Sequence, residues 1–87
     1  MDAQALVKWN LRKLRVLRGL SQEALAVDAE IDRTYVSRLE RGLENPTIAV
    51  LARIAKALEV DIREFFELPA EGAPPPQPLR KGRKPPQ

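Results

Sequence analysis

The segment from Gln22 to Arg41 constrains the fold of this chain more than any other. Its sequence, QEALAVDAEIDRTYVSRLER, holds two short helical patterns separated by about three residues. Ser21 and Asp32 stand directly before the two patterns, where N-cap residues are favoured, so two helices are predicted. Ala26 is small enough to let these helices cross closely. The apolar side chains expected to complete their seam are Leu25, Ala29, Ile31, Val36 and Leu39.

Three further helical segments are predicted within residues 1–68, and no strand pattern competes with them. They run from Ala3 to Arg18, from the Thr47 cap to Leu58, and from the Asp61 cap to about Leu68. Gly19 and Gly42 are expected to end the first and third helices of the chain. The apolar residues predicted to face the core from the first and fourth helices are Val7, Leu11, Leu14, Leu17, Ile48, Leu51, Ile54, Ala55 and Leu58.

Composition changes after residue 68, which we take as the end of the folded domain. Residues 69–87 contain seven prolines and a single large apolar side chain, Leu79. Such a segment cannot bury a core, so we expect a disordered or polyproline-like tail. Residues 1–68 carry eleven basic and eleven acidic side chains, and the net charge of +3 therefore resides in the tail.

The residue inventory argues against several classes of protein. The chain has no cysteine and no histidine, which removes disulfide scaffolds, the common transition-metal ligands and two common nucleophiles. It has neither a glycine-rich phosphate loop nor a nucleophile–base pair, so no enzyme, metal or cofactor is expected. No run approaches the ~20 apolar residues of a membrane span. We expect a cytoplasmic protein of a bacterium or phage.

Two closely crossed helices joined by a short turn form a helix-turn-helix, whose second helix lies in the DNA major groove. From about Leu11 to Phe66 the chain resembles the phage repressor and Cro-like (XRE-type) regulators. Three segments carry the resemblance: LRKLRVLRGLSQEALA, RTYVSRLERG and NPTIAVLARIAKAL. The last two look most like restriction–modification controller proteins. The resemblance implies an all-α, five-helix, lambda-repressor-like domain that binds double-stranded DNA and regulates transcription.

The resemblance also implies roles for individual residues. The positions that match base contacts are Arg33, Thr34, Ser37 and Arg38. Those that match contacts to the DNA backbone are Arg15, Gln22, Tyr35, Asn45 and Thr47. Ala26 and Glu40 match positions that support the recognition helix, and Glu40 is expected to pair with Arg15. The two recognition-helix arginines are the strongest candidates, because a guanidinium can bind guanine O6 and N7 together.

Two other features have consequences for assembly and for the turn. The large apolar side chains near residue 65 are too numerous for a short terminal helix, so part of them is expected to form a dimer interface, as in the family. The interface residues predicted are Val60, Ile62, Phe65 and Phe66. A homodimer would fit an inverted-repeat operator. In the turn, Glu30 stands where the family often has glycine, so a strained left-handed residue or a different turn geometry is expected.

The basic end of the tail, LRKGRKPPQ, leaves two interpretations open. It resembles an AT-hook, whose arginine enters the narrow minor groove of A·T tracts. It is equally compatible with a solubilising polycationic tail. The residues concerned are Arg80, Lys81, Arg83 and Lys84. The main functional alternative is an antitoxin whose tail binds a toxin, and the protein partners considered are a toxin and RNA polymerase.

Overall fold

The computed structural model describes residues 1–70 and 72, and in this part of the chain all regular structure is helical. The α-helices are α1 (Ala3–Leu17), α2 (Gln22–Ala29), α3 (Arg33–Glu40) and α4 (Ile48–Leu58), followed by a 3₁₀ helix at Ile62–Phe66. The all-α prediction is confirmed.

Each helix begins and ends where the local chemistry requires. Ser21, Asp32 and Thr47 each accept a hydrogen bond from a backbone N–H two or three residues further on, at 2.7–3.1 Å. These bonds satisfy N–H groups that a helix leaves free at its first turn. Gly19 and Gly42 adopt positive φ angles of 70° and 74° directly after the C-cap residues of α1 and α3. The predicted caps and stops are confirmed.

The turn between α2 and α3 contains a left-handed residue that is not glycine. Glu30 has φ 58° and ψ 46°, a conformation that costs an L-residue on the order of 1 kcal/mol. The turn closes through the N–H of Ile31, which donates to the carbonyl oxygen of Ala26 at 3.0 Å. The strained alternative predicted for Glu30 is therefore the one found. Glu59 adopts the same conformation after α4, with φ 58°.

The core lies where the helices pack against one another. α2 packs against α3 and α4, while α1 packs against α3 and the 3₁₀ helix. Ala26 is only 3% exposed at the α2–α3 crossing, as its size predicts. The buried apolar residues are Val7, Leu11, Leu14, Leu25, Ala26, Ala29, Val36, Leu39, Leu51, Ile54, Ala55, Leu58 and Phe65.

The structure corrects three details of the sequence prediction. The fifth helix is a 3₁₀ helix that ends at Phe66, not an α-helix to Leu68. Leu17 and Ile48, which were predicted to face the core, are each 69% exposed. Leu17 is the last residue of α1, and Ile48 is the first residue of α4. At each of these helix ends the apolar stripe continues past the part of the helix that the other elements cover.

A buried asparagine attaches the 3₁₀ helix to α1. The side chain of Asn10, which is 2% exposed, donates hydrogen bonds of 2.9 Å to the carbonyl oxygens of Phe65 and Glu67. A 3₁₀ helix of five residues leaves most of its carbonyl groups without partners in the helix itself. Asn10 therefore fixes the 3₁₀ helix against α1, with Phe65 in the core.

We expect Asn10→Ala to lower the free energy of unfolding by ~2 kcal/mol, because one buried and one partly buried carbonyl group lose their donor. Urea denaturation followed by circular dichroism measures this change. Lys13→Ala, an exposed substitution in the same helix, is the matched control and should change stability by less than ~0.5 kcal/mol. Equal effects of the two substitutions would contradict the role given to Asn10.

Candidate nucleic-acid interface

One face of α3 is open to solvent, and we call it the reading face. It comprises Arg33, Thr34, Ser37 and Arg38, with Arg41 one turn further on at the C-cap. The first two residues and Arg41 are exposed, while Ser37 and Arg38 are half-exposed. The opposite face is buried through Val36, Leu39 and Glu40. All four predicted base-contact residues thus lie side by side on the accessible side of the helix.

The reading face carries positive charge and hydrogen-bond donors. Arg33 and Arg41 form no ion pair with any residue in 1–70 or 72, and both are exposed. Arg41 was missed in the sequence analysis, although its position four residues after Ser37 places it on this face. A helix that presents guanidinium groups in this way can enter the major groove and bind base edges or phosphates.

Glu40 is the buried end of a polar cluster that joins three helices. The Arg15 side chain binds its carboxylate through two N–H groups, with Nε 2.5 Å from Oε2 and Nη2 2.9 Å from Oε1. Gln22 and Arg12 add hydrogen bonds of 3.1 and 3.2 Å to Oε1. The predicted Arg15–Glu40 pair is therefore present, and it links α1 and α2 to the end of the recognition helix.

The electrostatics of this cluster favour the charged form of Glu40. Burial opposes ionisation, but hydrogen bonds from Arg15 and Gln22, the charge of Arg15 and a hydrogen bond from Arg12 outweigh it, so the pKa of Glu40 lies below its ordinary value. The carboxylate is fully buried, so its negative charge is neutralised by arginine inside the protein and is not exposed on the protein surface.

The structure corrects the DNA-backbone role predicted for Arg15. Its side chain is 6% exposed, and a third donor, Nη1, binds the carbonyl oxygen of Leu20 at 2.8 Å. Three of the five N–H groups of the guanidinium are therefore bound within the protein, and little of the side chain is open to a phosphate. Arg15 supports the recognition helix from inside, while Arg12, whose side chain is 36% exposed, is the member of the cluster nearer to solvent.

A second arginine holds the turn that sets the angle between α2 and α3. Arg53 on α4 donates from Nε to the carbonyl oxygen of Ala29 at 3.2 Å and from Nη2 to that of Glu30. These carbonyl groups belong to the end of α2, where helical partners are missing and a positive charge is favourable. The role of Arg53 could not be predicted from the sequence, because its hydrogen bonds span more than twenty residues and leave no local pattern.

The remaining backbone-contact candidates surround the reading face. Tyr35 is half-buried, and burial together with the nearby Glu44 carboxylate raises the pKa of its hydroxyl. Asn45 is exposed before α4, and exposed Thr47 caps that helix. Gln22 opens α2 and is partly committed to Glu40. These positions lie on the recognition helix or beside it, so each remains a predicted contact.

The predicted dimer residues separate into buried and accessible groups. Phe65 is fully buried within the single chain, so its place in the predicted interface is wrong: it fills the core. Val60 and Ile62 are half-buried against that core. Phe66 is 42% exposed and shares with Ile48 an open groove of about 200 Å³ between α1 and the start of α4.

The predicted tail contacts, Arg80, Lys81, Arg83 and Lys84, lie outside the described residues, as does most of the segment on which the antitoxin alternative depends. In residues 1–70 and 72, no helix is long and apolar enough to cross a membrane. The same residues contain no cluster of three or more acidic side chains that could hold a metal ion.

Comparison with known proteins agrees with this geometry. Residues 11–65, which contain the reading face and the polar cluster behind it, match the HTH_3 helix-turn-helix family. The chain belongs to the HTH_3 family of XRE-type proteins. It is accordingly a DNA-binding transcriptional regulator, as the resemblance predicted.

Relatives of known structure include restriction–modification controller proteins. The chain is 40% identical to C.AhdI from Aeromonas hydrophila, with a TM-score of 0.70 and coverage of 72% of this chain and 96% of that one. It is 39% identical to C.Esp1396I, solved as a tetramer with its natural 35 base-pair operator, with a TM-score of 0.70 and coverage of 76% and 87%. A hypothetical transcription factor of Neisseria meningitidis is 39% identical over 70 residues, which are 80% of this chain and 66% of that protein.

We expect Glu40→Gln to lower the free energy of unfolding at pH 7 by ~3 kcal/mol, because Arg15 is left buried without its counter-charge. The pKa of Glu40 is lowered by folding, so its contribution is present above the unfolded-state pKa of about 4.3 and is lost as pH falls through the folded-state pKa. Urea denaturation of both proteins at pH 7 and at about pH 3 measures this, and the difference between them should shrink at low pH.

Glu64→Gln is the matched control, since Glu64 is exposed and forms no ion pair with the described residues. It should leave stability nearly unchanged at both pH values. A Glu40→Gln effect that is equally large at low pH would mean that shape, and not charge, explains the loss.

Proposed function

We propose that this protein is a sequence-specific transcriptional regulator that binds an inverted-repeat operator as a homodimer. Residues 1–68 form its DNA-binding domain, and α3 lies in the major groove of each half-site. Arg33, Thr34, Ser37 and Arg38 contact base edges, while Gln22, Tyr35, Asn45 and Thr47 contact the DNA backbone. Two half-sites on one face of the DNA would lie about one helical turn apart, ~34 Å.

The observation that carries this proposal is the reading face itself. Arg33 is exposed, and Arg38, which is half-exposed, follows about one and a half turns later at the other edge of the same accessible side. The helix that carries them is fixed from behind by the bonds of Arg15 and Gln22 to Glu40. A rigid helix that presents arginines at this spacing is suited to bidentate contacts with guanine, which discriminate between bases by ~1–3 kcal/mol each.

The dimer part of the proposal rests on an exposed apolar surface. Ile48 and Leu68 are 69% and 74% exposed, and Phe66 is 42% exposed near the groove that it shares with Ile48. Exposed apolar side chains that line one groove, as Phe66 and Ile48 do, often mark a protein–protein contact. A twofold contact across this surface would place two reading faces in one assembly. The similar protein C.Esp1396I was solved as a tetramer on its operator, which supports oligomeric binding.

Selection of bound sequences from random DNA at a stated salt concentration tests the reading face. The wild-type protein should return an inverted repeat with a defined spacing. We expect Arg33→Ala and Arg38→Ala each to weaken binding to that sequence by ~1–3 kcal/mol and to relax the base preference at one position of each half-site.

Lys56→Ala is the matched control, because it removes one exposed positive charge from α4 outside the reading face. It should leave every base preference as it was. If neither arginine substitution alters the selected sequence, the assignment of α3 as the reading helix is wrong.

We expect Phe66→Lys and Ile48→Lys to convert the dimer to a monomer, because a buried ammonium group would have to lose its hydration in the interface. Sedimentation velocity measures the mass, and operator binding should weaken together with it. Val27→Lys is the control, since Val27 is 70% exposed on α2 away from this surface. A wild-type protein that is monomeric at micromolar concentration and on the operator would contradict the homodimer.

A further inference from the structure

We infer that Glu44 is a positioning residue that fixes the direction of the Arg38 guanidinium and thereby sharpens the base preference of the recognition helix. This inference rests on the proposed function, because it concerns how Arg38 reads DNA. Glu44 lies in the turn between α3 and α4, outside the recognition helix and outside the residues predicted to contact DNA.

The geometry of the pair restricts Arg38 on one side. Its Nε donates to Oε2 of Glu44 at 2.6 Å, and its Nη2 donates to the carbonyl oxygen of Leu43 at 3.3 Å. Two of the five N–H groups of a guanidinium are therefore committed. The groups that remain are both N–H groups of Nη1 and one of Nη2, which form the outer end of the side chain. Arg38 is left with an end-on pair of donors, the arrangement that fits guanine O6 and N7.

Glu44 is itself held in place. Gln4 on α1 donates from Nε2 to the carbonyl oxygen of Glu44 at 3.0 Å and to that of Gly42 at 3.2 Å. The N–H of Leu43 donates to the carbonyl oxygen of Arg38 at 2.9 Å and closes the end of α3. The turn is thus attached both to α1 and to the recognition helix, so the carboxylate offers Arg38 a fixed acceptor.

The two side chains need each other near DNA. A free arginine side chain can rotate among several acceptors, whereas one held at Nε loses less conformational freedom when it binds a base. A carboxylate at the edge of the reading face would repel phosphates, and the charge of Arg38 offsets that repulsion. The side chains are 43% and 29% exposed, so the pair lies at the surface where DNA would approach.

This arrangement predicts that two measured quantities respond differently when Glu44 is removed. Binding to non-specific DNA should hold or increase, because a negative charge is lost beside the phosphates. The preference for one base pair should decrease, because Arg38 is no longer directed. A residue that acts only through its charge would change the first quantity and leave the second as it was.

The experiment is selection from random DNA with the full-length wild type, Arg38→Ala, Glu44→Ala and Glu44→Gln. At the position that Arg38→Ala relaxes, we expect Glu44→Ala to lower the preference about 3- to 10-fold, with no loss of affinity for non-specific DNA. Glu44→Gln keeps an oxygen that can accept from Nε and should retain most of the preference. Combining Arg38→Ala with Glu44→Ala should have no further effect on that preference.

Asp28→Ala is the charge-matched control, because Asp28 is exposed and forms no ion pair within residues 1–70 and 72. It should leave all base preferences unchanged. Circular dichroism melting of each variant verifies that the domain is folded, and Glu44→Gln provides the comparison if Glu44→Ala is unstable.

Three results would overturn the inference. The first is a Glu44→Ala protein with unchanged preference although Arg38→Ala relaxes it. The second is a uniform gain in affinity for all sequences. The third is a sharper preference in Glu44→Ala, which would mean that Glu44 withholds Arg38 from DNA. If Arg38→Ala changes no preference, the failure lies instead in the proposed reading face.

Discussion

The position of the recognition helix depends on one buried carboxylate. Glu40 lies where α1, α2 and α3 meet, and it receives hydrogen bonds from Arg15, Gln22 and Arg12. Buried ion pairs add little net stability, because desolvation offsets most of the attraction between the charges. What this pair adds is geometric, because an arginine that donates two hydrogen bonds to one carboxylate can do so in few orientations. The end of α3 is thereby fixed relative to the two helices behind it.

Polar side chains also join the elements at other junctions, and there they bind backbone carbonyl groups. Arg53 holds the end of α2, Asn10 holds the 3₁₀ helix, and Gln4 holds the turn after α3. A domain of about seventy residues buries a smaller fraction of its surface than a larger one, so apolar packing alone leaves it only marginally stable. Directional hydrogen bonds across elements add to that packing, and they restrict the orientations that the helices and turns can take.

Much of the site could be predicted from the sequence because the relevant signals are local. Caps such as Ser21 and Asp32 act on N–H groups within three residues, and the reading face follows from the helical period. The predictions that were wrong concern residues whose role depends on whether the fold buries them. Arg15 and Phe65 were given surface roles, yet both are enclosed by elements distant in sequence. A pattern of apolar and basic residues cannot say which members of a stripe the rest of the chain will cover.

The sequence by itself determined the helices, their caps and the side of α3 that carries Arg33 and Arg38, because these follow from contacts between near neighbours. Only the tertiary structure decided which polar groups hold that helix in place. Arg53 reaches Glu30, Gln4 reaches Glu44, and Glu44 engages Arg38 only after folding brings separate elements together. Such pairings leave no periodic trace in the chain, since they depend on how helices cross and not on spacing along them. Local sequence signals thus specify the helix-turn-helix, whereas the exact orientation of its helices depends on contacts from the whole fold.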